Sequence, residues 1–284
     1  MAFLLTSGAA IRADGTDIEW DYGRLGLTQK FQGDQPVCWA YAFVNALELA
    51  VSRREGHPVR FDEVEVVALG AARNRETLGS RRRQMIAASR GDQIEPILWM
   101  IWQYGLHGSD GRVYRDIAID LAPGVPPVME RDPRHMPFEN DRLTAAIADG
   151  WAKGNRAWML RRLAVGQPVV CTLLGWRDGE RRNFMVGHAV TAVSRLSFRN
   201  SWESEPRIVL DEDEADRCLY ANYTVRLCSE AERVQAQAAI RAAAERWNFL
   251  HVDDDAPVPD GATAAVHFEL TAPDLRDRGG APSR

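Results

Sequence analysis

The stretch GHAVTAVSRLSFRNSW, residues 187–202, decides the fold class. Residues 188–193 and 197–202 are rich in β-branched and aromatic side chains, and only a short turn near Ser194-Arg195 separates them. That pattern predicts an antiparallel hairpin. The same character extends on both sides: PVVCTLL at 168–174, RIVL at 207–210 and LYANYTVRL at 219–227 also read as strands. Before about residue 165 the pattern is helical. Ala40, Phe43, Val44, Leu47, Ala50 and Val51 form one apolar stripe from Cys38 to Glu55, stopped by Gly56 and Pro58. Further helices are expected over 62–72 and from Pro96 to Tyr104, the latter with Gly105 as its C-cap. Ser229 and Glu232 form a capping box for an Ala-rich helix reaching about Trp247. Helices first and strands later predict an α+β fold with segregated layers.

Composition narrows the function classes. The chain of 284 residues is 45% hydrophobic and 26% charged, with a mean hydropathy of -0.32, which excludes disordered, collagen-like and membrane-spanning chains. Its net charge of -5, a pI near 5.8 and the lack of a basic stripe argue against nucleic acid or an anionic membrane as the main partner. Lys30 and Lys153 are the only lysines, the mark of a GC-rich, bacterial composition or of selection against lysine modification. The opening MAFLLTSGAAIRADG has no basic n-region and only a short apolar run, so neither a Sec-type signal nor a membrane anchor is expected. Cys38, Cys171, Cys218 and Cys228 form no C-x-x-C pair and read as free thiols of a reducing compartment. His57, His107, His135, His251 and His267 lack metal-ligand spacing, so no metal site and no cofactor are expected. The runs Asp211–Glu214 and Asp253–Asp255 read as solvated loops.

Two features carry chemistry. Cys38 stands at the start of the strongest helix, where about half a positive charge favours the thiolate. Taken alone it reads more simply as an inert, buried core cysteine. His188 and Asn200, twelve residues apart, can meet on one face of a symmetric hairpin. There an Asn oxygen accepts from one imidazole nitrogen and leaves the other to face a thiol. A single strand histidine would more simply be structural; a histidine opposite an asparagine, with a helix-start cysteine elsewhere, is a stronger signal.

The order Gln32-Gly33-x4-Cys38-Trp39-Ala40, then His188-Ala189-Val190, then Asn200-Ser201-Trp202 resembles the papain and cathepsin family of cysteine peptidases. His188 and Asn200 follow the cysteine slightly later than the ~130–150 residues usual there. The stretch from Ile97 to Leu106 resembles that family's helix ending in Tyr-Gly-Ile, and Gln167-Pro168-Val169-Val170 its Gln-Pro-Val strand. The likeness covers roughly residues 28–227.

The resemblance implies a two-lobed papain-like domain over 28–250, with a helical lobe at about 28–150, a β-rich lobe at about 165–250 and the active-site cleft between them. Residues 1–27 would be a mobile lead-in and residues 251–284 an acidic, Pro- and Gly-containing tail. It implies Cys38 as nucleophile, His188 as its thiolate partner and acid/base, Asn200 orienting the imidazole, and Gln32 in the oxyanion hole. Gly91, Asp92, Gly187 and Trp202 would line the substrate site, with Trp202 shielding the His188–Asn200 bond. Departures are Gln35-Pro36-Val37 just before the nucleophile, Asp92 for a glycine, and Glu203-Ser204-Glu205-Pro206 for a Gly-rich loop. The expected partner is a protein or peptide substrate, with an inhibitor or activating partner in place of an inhibitory propeptide. The expected location is the cytoplasm, or a host cell reached without a Sec-type signal by a bacterial effector or toxin. Alternatives are a papain-fold acyl transferase, deamidase or isopeptidase, and a catalytically inactive binding module.

Overall fold

A computed structural model of the protein describes residues 17–33, 37–78, 94–122, 151–173, 177–178, 181–182 and 188–247. In chain order the elements are α1 (Glu19–Arg24), α2 (Cys38–Glu55), α3 (Glu63–Leu78), α4 (Ile94–Tyr104), β1 (Leu106–His107), β2 (Val113–Tyr114) and β3 (Ile117–Leu121). There follow α5 (Trp151–Ala164), β4 (Val169–Leu173), β5 (Arg177–Asp178), β6 (Arg181–Arg182), β7 (His188–Ala192), β8 (Ser197–Arg199), β9 (Arg207–Val209), α6 (Glu212–Cys218), β10 (Leu219–Leu227) and α7 (Glu230–Trp247).

The fold is α+β, built on a six-stranded antiparallel sheet in the order β3-β10-β4-β7-β8-β9. The expected strands at 168–174, 188–193, 197–202, 207–210 and 219–227 all appear, most of them trimmed at the ends. The layers are less segregated than expected, because β3 comes from the helical front half and pairs with β10 at one edge. Its acidic Asp120 blurs the strand signal; the charge is met across the sheet by Arg226 Nε at 2.9 Å.

The sheet is covered on both faces. Successive side chains of a strand point to opposite sides. On one side Val190 and Ala192 of β7 join Cys171 of β4 and Met159 of α5 in the core. On the other, Thr191 Oγ1 donates to the Ala42 carbonyl of α2 at 3.0 Å. The stripe read on α2 is buried at Phe43, Val44, Leu47 and Val51, but so are Ala42, Ala46 and Leu49. A single stripe reports one covered face, whereas α2 lies between the sheet and α3. Each large apolar side chain so buried contributes about 1.5–3 kcal/mol. Gly56 ends the helix with φ +75°, as its place after the apolar run predicts. Gly105 has φ +82° at the end of α4, and a Cβ there would collide with Val113 Cγ1.

Two expectations need correction. Within the supposed lead-in, residues 17–27 are packed. Ile18 and Tyr22 are fully buried, the Ile18 N–H donates to the Val193 carbonyl at 2.7 Å, and the Arg199 guanidinium stacks over the Tyr22 ring at 4.0 Å. The acidic run at 211–214 is not a loop but the start of α6. Asp211 caps it by accepting from the Glu214 N–H at 2.7 Å, and Glu212 pairs with Arg156 and Arg195. An acidic run suits a helix N-terminus as well as a solvated loop, because the unpaired first-turn N–H groups carry partial positive charge. α5 shows no continuous apolar stripe in sequence, because arginines and a glycine interrupt its apolar face of Trp158, Met159 and Leu163. The capping box at Ser229 closes in both directions, with Ser229 N to Glu232 Oε2 at 2.8 Å and Glu232 N to Ser229 Oγ at 3.2 Å. Among the described residues no helix is long and apolar enough to cross a membrane.

Candidate active site

Cys38 is the first residue of α2 and is partly exposed. Val37 before it supplies no side-chain cap, so the first-turn N–H groups are not engaged by a capping side chain. The Cys38 sulfur accepts the Ala189 N–H at 3.4 Å, which ties the helix start to β7 one residue beyond His188. Burial pushes the thiol above its ordinary pKa, and backbone N–H groups of Ala189, Trp39 and Cys38 itself pull it back.

His188 opens β7 and is almost fully buried. Its Nε2 lies 2.6 Å from Asn200 Oδ1. An amide oxygen only accepts, so Nε2 carries the proton and Nδ1 is the basic nitrogen. Asn200 cannot turn over. Its Nδ2 donates to the Glu205 carbonyl at 2.7 Å, its N–H to the Pro206 carbonyl at 2.9 Å, and its carbonyl accepts from Gln29 Nε2 at 2.5 Å. Burial drives the His188 pKa down to about 4, against the opposing pull of the Asn200 bond. Burial therefore opposes a charge on the sulfur and on the imidazole when each is taken singly.

The two side chains meet diagonally rather than directly across the hairpin. Thr191 pairs with Arg199 and Ala192 with Phe198. Continued along the chain, that register sets Asn200 against Val190 and Trp202 against His188. The rings of His188 and Trp202 lie 4.3 Å apart at 31°, as this register requires. The symmetric hairpin expected from sequence differs by one step on each strand. An offset of two residues keeps both side chains on one face, so the bond survives.

Gln32 is joined to the segment following β8. Its N–H donates to the Ser201 carbonyl at 2.9 Å, and Ser201 Oγ donates to its Oε1. With the oxygen so engaged, the amide nitrogen is the donor end. Cys38, His188, Asn200, Trp202 and Gln32 are thus linked through direct contacts or through the neighbouring Ala189 and Ser201. Gly91, Asp92 and Gly187 lie outside the described residues. Gln29, Ser201 and Glu205 carry no sequence signal for this site. Glu205 acts through its backbone carbonyl, which no side-chain pattern announces; Gln29 and Ser201 are ordinary polar residues until the fold sets them beside Asn200 and Gln32.

The other thiols sit elsewhere. Cys171 and Cys218 are buried, Cys228 is partly exposed, and all four cysteines are free. Burial pushes Cys218 up to about 12 and Cys171 well above the usual thiol range. His107 pairs with Glu65, Nδ1 to Oε1 at 2.6 Å.

No protein-family model and no curated protein matches the sequence. Among solved structures the chain is similar to digestive procathepsin L 3 of the Tenebrio molitor larval midgut. The TM-score is 0.42 and the identity 12%, over 74% of this chain and 69% of that one.

Proposed function

We propose that the protein is a papain-like thiol peptidase that cleaves peptide bonds through Cys38. One observation carries the reading: a buried His188–Asn200 pair at 2.6 Å stands next in sequence to the amide that touches the Cys38 sulfur at 3.4 Å. Desolvation opposes each charge alone, so thiol and imidazole rest neutral and the proton moves between them during attack. Cys38 Sγ bonds to the scissile carbonyl carbon while His188 Nδ1 takes its proton. The developing oxyanion lies toward the Gln32 amide nitrogen and the N-terminus of α2. His188 then gives the proton to the leaving amine as the C–N bond breaks. Water hydrolyses the thioester, its proton passes through Nδ1, and the thiol is restored. Asn200 holds the tautomer, and the Trp202 ring keeps water from that bond.

The test is labelling of wild type, Cys38→Ala and His188→Ala with iodoacetamide or a peptidyl epoxide, mapped by peptide mass, alongside turnover of a peptide library. A single fast adduct on Cys38, slowed in His188→Ala, together with hydrolysis that Cys38→Ala abolishes, is the expected result. Slow and equal labelling of all four cysteines overturns the reading. An added amine captured in the product in preference to water would assign the same thioester to acyl transfer rather than hydrolysis.

A further inference from the structure

Residues 26–32 run as a strap between the hairpin and α2. On the hairpin side, Arg199 Nη2 donates to the Leu27 carbonyl at 3.1 Å, Gln29 Nε2 to the Asn200 carbonyl at 2.5 Å, and the Gln32 N–H to the Ser201 carbonyl at 2.9 Å. On the other side the anchor is Glu48, a carboxylate buried on α2. Its Oε1 accepts the Phe61 N–H at 2.9 Å. Two cations reach it. Lys30, on the strap itself, lies 2.7 Å from Glu48 Oε1 and 2.7 Å from Glu63 Oε1. Arg60 approaches from the segment before α3. Its Nη1 bonds Glu48 Oε2 at 3.0 Å and the Thr28 carbonyl at 3.1 Å, and its Nη2 bonds the Gly26 carbonyl at 2.9 Å and Thr28 Oγ1 at 2.7 Å.

Two carboxylates and two cations balance, so Glu48 is not left as an uncompensated buried charge. The two cations are not equivalent. An ammonium is a point charge, whereas a planar guanidinium can grip a carboxylate and several strap oxygens at once in fixed directions. We propose that Arg60 is a positioning residue for the acyl-transfer site: its fork clamps the strap to Glu48 and so holds Gln32 and Gln29 against Asn200 and Ser201. The proposal rests on the reading of Gln32 as an oxyanion donor. Its consequence is selective, because alkylation of Cys38 needs the sulfur and His188 but no oxyanion donor.

The experiment compares wild type, Arg60→Lys and Thr28→Ala, each checked by thermal unfolding. Arg60→Lys keeps the charge beside Glu48 and removes the fork. Two readouts are taken: the rate of Cys38 alkylation by iodoacetamide, and kcat and KM on a peptide amide substrate. Displacement of one positioned group by about 1 Å can cost about 100-fold, and loss of an oxyanion donor about 10²–10³-fold. The expected result for Arg60→Lys is a fall of about 10-fold or more in kcat, with KM and alkylation rate unchanged. Thr28→Ala, which loses one contact of the fork, should give a smaller fall of the same kind and decides the matter if Arg60→Lys does not fold. Unchanged kcat in the folded variant, or alkylation falling in step with kcat, overturns the positioning role while the peptidase reading stands. A wild type that neither alkylates selectively at Cys38 nor turns over substrate removes the peptidase reading, and the positioning role with it.

Discussion

The start of α2 around Cys38 and the middle of β4 around Cys171 both take a thiol out of water, and burial raises the pKa of both. They differ in what else lies within reach. Cys171 has Met159 Sδ and the Val169 carbonyl, each at 3.7 Å, and one backbone N–H, that of Ala192, to favour its thiolate. Cys38 has the backbone N–H groups of Ala189, Trp39 and its own, a helix N-terminus, and an amide contact one residue beyond His188, whose tautomer Asn200 defines. Burial alone therefore does not separate the two thiols; the proposed nucleophile differs in the polar groups set around its sulfur.

The largest expected effect breaks the comparison directly. Replacing His188 by Gln should slow Cys38 alkylation near neutral pH by about 10²–10⁴-fold, the usual worth of a positioned general base, and leave the slow rate at Cys171 untouched. Faster labelling of the buried Cys171, read by peptide mapping, would mean that the substitution loosened the fold instead.

Next in size is a pH effect on folding. The unfolded imidazole titrates near 6.5 and the folded one near 4, so between those values the unfolded chain binds more protons. Stability contributed by neutral His188 is complete above the unfolded value and is lost as pH falls through that window. The loss is about 3 kcal/mol. Denaturant unfolding of wild type and His188→Gln across this range isolates the group, and the difference between the two curves should shrink toward acid. Parallel curves would refute it.

Asn200→Ala leaves the base in place but frees its tautomer. A hydrogen bond to a charged group contributes about 1.5–3 kcal/mol, so turnover should fall about 10- to 100-fold. The effect should exceed that of Trp202→Phe, which keeps an aromatic ring beside His188. The smallest effect sharpens the other side of the comparison. Cys171→Ser puts a hydroxyl into an apolar core and should cost about 1–3 kcal/mol of stability in urea without changing kcat.

Much of the site was legible because its parts are short and local. A helix-start cysteine, a strand-start histidine and an asparagine an even number of residues later are each read from neighbours in the chain. The observed register and the symmetric one place His188 and Asn200 on the same face, because they differ by an even offset. What stayed hidden was held by partners distant in sequence. Gln29 looks like an ordinary polar residue until its amide meets the Asn200 carbonyl, and Glu48 sits within a helix whose stripe gives no sign that Lys30 and Arg60 converge on it. α1 and β3 are short segments whose apolar residues are explained only by the strands they touch.

The sequence by itself determined the α+β class, the span and stop of α2, the hairpin, and the chemical identity of Cys38, His188, Asn200 and Gln32. These follow from period, capping and residue type, which act over a few neighbours. Tertiary structure alone decided the diagonal register that sets Trp202 against His188, the burial that opposes charge on the sulfur and the imidazole, and the ionic anchor at Glu48 that secures the strap. Those depend on long-range contacts, because desolvation and hydrogen-bond geometry are properties of what surrounds a group and not of the chain that carries it.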